Sequence, residues 1–264
     1  MTARTELNPR RALLAATLAL AATATAQAQT GGHEYYALHQ EVVMPSQVAT
    51  YEATSREFVA FVQANRTAMK DFSAIAIQGE NFSYLYAVPI SAFAGVDTIN
   101  GDFAAVFSGP AAQQAADLFA RNSATLSAIN EWVVERYPEL SYAPATPRLK
   151  PGEASFVHYD LYYLQPGAED QAKAIAKDFV ALFKRNNWPD GYNLFMTAMG
   201  PDMPLLVVEV PDKTAADYYA HNQAMRTALG AEAQALFGRA FAITRKFETR
   251  NGWLRPDLSI PPAK

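Results

Sequence analysis

The sequence predicts an α+β protein made of two tandem copies of one strand–helix–strand–strand–helix–strand unit. Three observations carry this. Short segments recur in the same order: FVAFVQANR (58–66) returns as FVALFKRNN (179–187), DLFARN (117–122) as DYYAHN (217–222), and PELSY (138–142) as PDLSI (256–260). The offset of the first pair also superposes Pro45 on Pro166 and Gly79 on Gly200. Finally, a proline-rich stretch, APATPRLKPG (143–152), separates the copies and reads as a linker. The offset shrinks between the first and second pairs, so the first copy carries an insertion, placed near 91–110.

Each element follows from local pattern. YYALHQEVV (35–43) and SFVHYDLYYL (155–164) are rich in aromatic and β-branched residues and run up to Pro45 and Pro166, so they read as first strands. Helices follow. Val48, Tyr51, Phe58, Phe61 and Val62 form an apolar stripe behind Ser46, and Ile175, Phe179, Leu182 and Phe183 form its counterpart. Glu169 and Asp170 begin that second helix and Lys184 and Arg185 end it, in the sense the helix dipole favours. Strand pairs turn at Gly79-Glu80-Asn81 and at Gly200-Pro201-Asp202. A second helix carries DLFARN or DYYAHN. The last strands are expected at NEWVVE (130–135) and AFAITRKFET (240–249).

The chain has 264 residues, half of them hydrophobic and 18% charged, enough apolar material for a packed core. With no cysteine, disulfides, thiolate metal sites and a cysteine nucleophile are excluded. Arg4, Arg10 and Arg11 precede the apolar run ALLAATLALAATATA (12–26) and a small-residue site at Ala26-Gln27-Ala28, which reads as a signal peptide over 1–28. The run is short for a spanning helix, so the expectation is a periplasmic or secreted protein with no stable membrane anchor. Cleavage makes a chain of net charge −4 more acidic still, and nucleic acid is not an expected partner. The expected organisation is a first repeat over 33–142, the linker, and a second repeat over 153–260.

This element order is the ferredoxin-like unit, an antiparallel sheet with helices on one face only. Two such units can pack their bare faces together and enclose a cavity. In this the chain resembles the dimeric α+β barrel superfamily over about residues 34–260, as an internal pseudo-dimer within one chain. The superfamily includes antibiotic-biosynthesis-type monooxygenases and chlorite-dismutase-like haem proteins. The resemblance rests on element order and repeats and has no catalytic motif to carry over.

Strand alternation places candidate residues. Val157, Tyr159, Leu161 and Tyr163 share one face of the strand that His158, Asp160 and Tyr162 share on the other, and Tyr36, Leu38 and Val42 oppose Ala37, His39 and Glu41. Assigning the apolar faces to the helices predicts that His39, Glu41, His158, Asp160 and Tyr162 line the cavity, with Tyr84 and Tyr86 beside them. His158, Asp160 and His39 are then the catalytic candidates, because a carboxylate beside an imidazole favours its acid–base-competent form, and Glu41, Tyr162, Tyr84 and Tyr86 are ligand-binding candidates. The plainer alternative is that His158 and Asp160 only satisfy one another. The expected function is binding of a small apolar or aromatic molecule. The alternatives are a cofactor-independent oxygenase or isomerase-like enzyme and, through His221 by family analogy, a haem-binding protein. No cofactor or metal is expected, since nucleotide, phosphate-loop and serine-hydrolase motifs are absent and no ligand spacing suits a metal. A homo-oligomer is compatible with the pattern.

Overall fold

The computed structural model describes residues 34–263; the expected signal at 1–28 lies outside the described residues. The first half runs β1 (Glu34–Val43), α1 (Val48–Ala64), β2 (Ile75–Gly79), β3 (Ser83–Ile90), α2 (Gly95–Ser108), α3 (Ala112–Ser123) and β4 (Leu126–Arg136). The second half runs β5 (Phe156–Leu164), α4 (Glu169–Arg185), β6 (Asn193–Met199), β7 (Leu205–Asp212), α5 (Ala215–Ala242) and β8 (Thr244–Leu254). The orders match except for α2, which occupies the expected insertion. The last strand begins later than expected because α5 continues to Ala242 past a kink at Gly230, whose φ of 48° is open to glycine. Among the described residues no helix is long and apolar enough to cross a membrane.

Among the described residues all eight strands pair antiparallel and close into one barrel, in the order β1-β3-β2-β8-β5-β7-β6-β4. Within each half the fourth strand lies beside the first, then the third, then the second. Two short seams join the halves. At one, Ile77, Gln78 and Gly79 of β2 face Leu254, Trp253 and Gly252 of β8; at the other, Val133–Arg136 of β4 face β6. The first seam depends on Gly252, where a Cβ would stand 2.6 Å from the Ile77 side chain.

The tail of each half crosses to the other. Tyr142 exchanges backbone hydrogen bonds with Tyr192, and Ile260 does so with Ala74. Ser141 Oγ accepts from the Leu194 N–H, as Ser259 Oγ accepts from that of Ala76. Leu140 and Leu258 are both buried, each in a cluster dominated by the opposite half. These are the PELSY and PDLSI segments, so their similarity reflects equivalent crossings. Residues 143–155 contain no helix or strand and are tied to the second half by Arg148, which donates to Asp190 and Asp212.

Helices cover the outer sheet faces. In α5 the cap is reciprocal: Thr214 Oγ1 accepts from the Asp217 N–H and donates to the Asp217 carboxylate, fixing the start of the helix that carries His221 in its second turn.

Candidate functional site

The structure exchanges the two predicted strand faces. Tyr36, Leu38, Val157, Tyr159, Leu161 and Tyr163 point into the barrel lumen, a cavity of about 2060 Å³, while His39, Glu41, His158, Asp160, Tyr162, Tyr84 and Tyr86 face the helices. The physical reason is that both faces of each sheet are covered. Alternation separates the faces but does not say which one meets the opposite sheet. The aliphatic and aromatic face packs into the lumen, where side-chain partners are scarce, and the polar face meets helices that supply hydroxyls and amides.

In the first half this outer layer is filled. Glu41 is 7% exposed and accepts from Tyr51 Oη at 2.6 Å and Asn122 Nδ2 at 2.7 Å. Tyr51 and Tyr86 hydroxyls meet at 2.7 Å, and Tyr84 donates to Glu52. His39 lies between Glu131 and Glu41. Burial works against its charge, but the two carboxylates outweigh it and raise the His39 pKa. These side chains are engaged mainly with one another and face the helices of their own half, so the expected joint site with the second half does not form.

The second half differs. Between its sheet and α4 and α5 lies an apolar pocket of about 140 Å³, lined by Tyr162, Ile175, Phe179, Leu206, Val208, Met225 and others. That is close to the roughly 150 Å³ that holds a benzene ring in an apolar core. Polar groups gather at its rim: Asp160, Asp212, Tyr218, His221, Asn222 and Arg226. His158 stands behind Asp160, with Nε2 3.3 Å from the carboxylate, Nδ1 2.8 Å from Asn251 Oδ1, and its ring stacked 4.2 Å from Tyr218. Burial, then the Asp160 charge, pushes the phenols of Tyr162 and Tyr218 well up, so both remain donors beside the carboxylate.

A second histidine–carboxylate pair borders the same pocket. His221 Nδ1 lies 3.0 Å from Asp212, a buried carboxylate that also accepts from Arg148 at 2.8 Å and the Lys213 N–H at 2.7 Å. Burial works against the Arg148 charge, but Asp190 and Asp212 outweigh it and raise its pKa. Of the sequence candidates, the fold brings His158, Asp160, Tyr162 and His221 together and leaves His39, Glu41, Tyr84 and Tyr86 apart. Sequence reasoning missed Asp212, although LLVVEVPD (205–212) puts it on the helix-facing side with Leu206, Val208 and Val210.

Haem does not fit here. The pocket, about 140 Å³, is smaller than the roughly 300–1,000 Å³ typical of drug-sized ligands. Among the described residues no group of three or more His, Asp or Glu side chains is placed to hold a metal ion.

No family model matches the sequence, and no curated protein sequence matches it. Solved structures do match in fold. An anthrone oxidase-like protein superposes with a TM-score of 0.55 at 9% identity, over 86% of this chain and 93% of that one. Two proteins named "putative monooxygenase" follow. The one from Lactobacillus acidophilus NCFM has a TM-score of 0.54 at 6% identity, over 88% of this chain and 98% of that one. The one from Fusobacterium nucleatum subsp. nucleatum has 0.52 at 9%, over 85% and 94%. These neighbours are dimeric α+β barrel proteins, and at such identities the likeness is one of fold.

Proposed function

We propose that this chain binds a small apolar or aromatic molecule in the helix-side pocket of its second half, with Asp160 accepting a hydrogen bond from a ligand hydroxyl or N–H. The observation that carries the reading is a carboxylate, held from behind by His158, at the rim of an apolar space one ring wide. Phenol is the simplest probe. Calorimetric titration should show saturable binding that weakens about tenfold or more in Asp160→Asn, since a hydrogen bond to a charged group contributes roughly 1.5–3 kcal/mol. Unchanged affinity in that variant would overturn it.

A second reading, a cofactor-independent oxygenase or isomerase-like enzyme, is favoured by the two histidine–carboxylate pairs on one pocket, which could take a proton from a bound substrate. The fold neighbour's description makes anthrone the first substrate to try, with oxygen uptake as the readout. Turnover with a histidine-range limb in its pH profile supports the enzyme; binding without turnover across a panel of phenols and ketones leaves the binding protein. Within this reading the halves are tandem ferredoxin-like copies, and the mature chain starts near Gln29 and works outside the cytoplasm. N-terminal sequencing of the secreted fraction checks the export; retention of Met1 in a membrane pellet would refute it.

A further inference from the structure

The lumen is a separate space, and its wall is not uniformly apolar. Register sets Tyr159 of β5, Glu209 of β7 and Asn193 of β6 in one row across three neighbouring strands. Asn193 Nδ2 donates to Glu209 at 2.9 Å, and Asn193 Oδ1 accepts twice from Arg136, at 3.0 and 3.1 Å. Arg136 also donates to Glu34 at 3.2 Å, where Tyr36 donates too. Its charge is therefore already engaged by protein groups.

Two lumen hydroxyls are left over. Tyr159 Oη is buried against the Glu209 carboxylate without a well-formed hydrogen bond to it, and Thr197 Oγ1, on a residue 7% exposed, has no partner. Buried polar atoms without partners are rare in folded proteins, and three of the four among the described residues, on Tyr159, Tyr192 and Thr197, belong to residues lining this cavity. Thr197 shares the inward face of β6 with Asn193 and Phe195, four residues along, or roughly 13 Å at strand rise. The handles thus lie apart along an apolar wall that includes Leu161, Val207 and Trp132.

We propose that the lumen is a second ligand site, distinct from the helix-side pocket, for an elongated neutral apolar molecule bearing a carbonyl or hydroxyl oxygen that Tyr159 Oη engages. Neutrality follows from the surroundings. An anionic head would meet Glu209, while Arg250, opposite Tyr159 on β8, is already paired with Glu248 at 3.1 Å, and a cationic head would compete with Arg136. Burial raises the Glu209 pKa, which suits a head group that brings no charge.

Nile red, a neutral polycyclic dye with a carbonyl oxygen, is the probe, with 1-dodecanol, dodecanoate and dodecylammonium as competitors. The full mature chain should bind the dye, and dodecanol should displace it at a concentration at least about tenfold lower than either charged analogue. Tyr159→Phe should weaken dye binding about fivefold, the scale of one lost hydrogen bond. Val207→Trp, which puts an indole on the wall beside the Tyr159–Glu209 pair, should weaken it at least about tenfold, and Asp160→Asn should leave it unchanged. A folded protein that binds neither dye nor dodecanol, equal affinity in Tyr159→Phe, displacement by dodecanoate as good as by dodecanol, or loss in Asp160→Asn would each overturn the proposal. Should Val207→Trp fail to fold, Tyr159→Phe removes one oxygen and keeps the test. Phenol binding to the helix-side pocket is read separately, so each site can fail without the other.

Discussion

The outer layers of the two halves start from equivalent sheets and end differently. Beneath α1 and α3, Glu41 is saturated by Tyr51 and Asn122, and the extra helix α2 adds Phe103 and Val106 to a cluster with Phe58, Phe61 and Phe72. Beneath α4 and α5 no such helix exists, Tyr162 stands where Glu41 does, and space remains with Asp160 at its edge. One sheet can thus support either a sealed layer or a receptive one, depending on what is inserted above it.

The largest expected effect tests the sealing. Phe61→Ala, in the packed layer, should lower stability by about 3–5 kcal/mol, whereas Phe179→Ala, beside an existing void, should lose only about 2 kcal/mol. Equal losses in denaturant titrations would break the contrast. Next, Glu41→Ala strands Asn122 and part of the Tyr51 bonding and should cost about 2–3 kcal/mol without changing phenol affinity. Asp160→Ala should cost less than about 1 kcal/mol while removing that affinity. The reverse ranking would show that the receptive layer is the structural one.

The smallest effects are in pH. Because the folded-state pKa of His39 is raised, its contribution is complete below the ordinary histidine value and fades as pH rises through the raised one. His39→Gln should flatten that limb of a melting-temperature profile. In Glu52, hydrogen bonds from Arg255 outweigh burial and hold the carboxyl at about 2 against an ordinary 4.5. Its contribution is present above 4.5 and is lost as pH falls toward 2, a limb Glu52→Gln should remove. If both variants keep the parental profile, these contacts are fully screened by solvent.

Element order was legible because strand and helix periods differ and because Pro45, Pro166, Gly79 and Gly200 punctuate both halves alike. The insertion was legible as a change of offset. Which strand face lines the lumen was not: His158 and Leu161 alternate equally well whichever way the strand is turned, and only the opposing sheet decides. The His158–Asp160 contact survived that error because residues two apart share a face on either side. Glu209 was readable only as a lone acid in an apolar strand. Its neighbours Tyr159, Asn193 and Arg136 come from three other strands, so nothing local signals the row.

The two seams that close the barrel differ in how far apart their strands lie along the chain. The β4–β6 seam spans a gap of about 57 residues, but β2 ends at Gly79 and β8 begins at Thr244, a gap of about 165 residues. At roughly 5–20 residues made per second, β2 waits on the order of ten to thirty seconds for its partner to leave the ribosome. Until then one sheet edge is unpaired, and the apolar wall inside it faces water. The lumen is the last part of the molecule to come into being, so its quality depends on the final strand arriving intact.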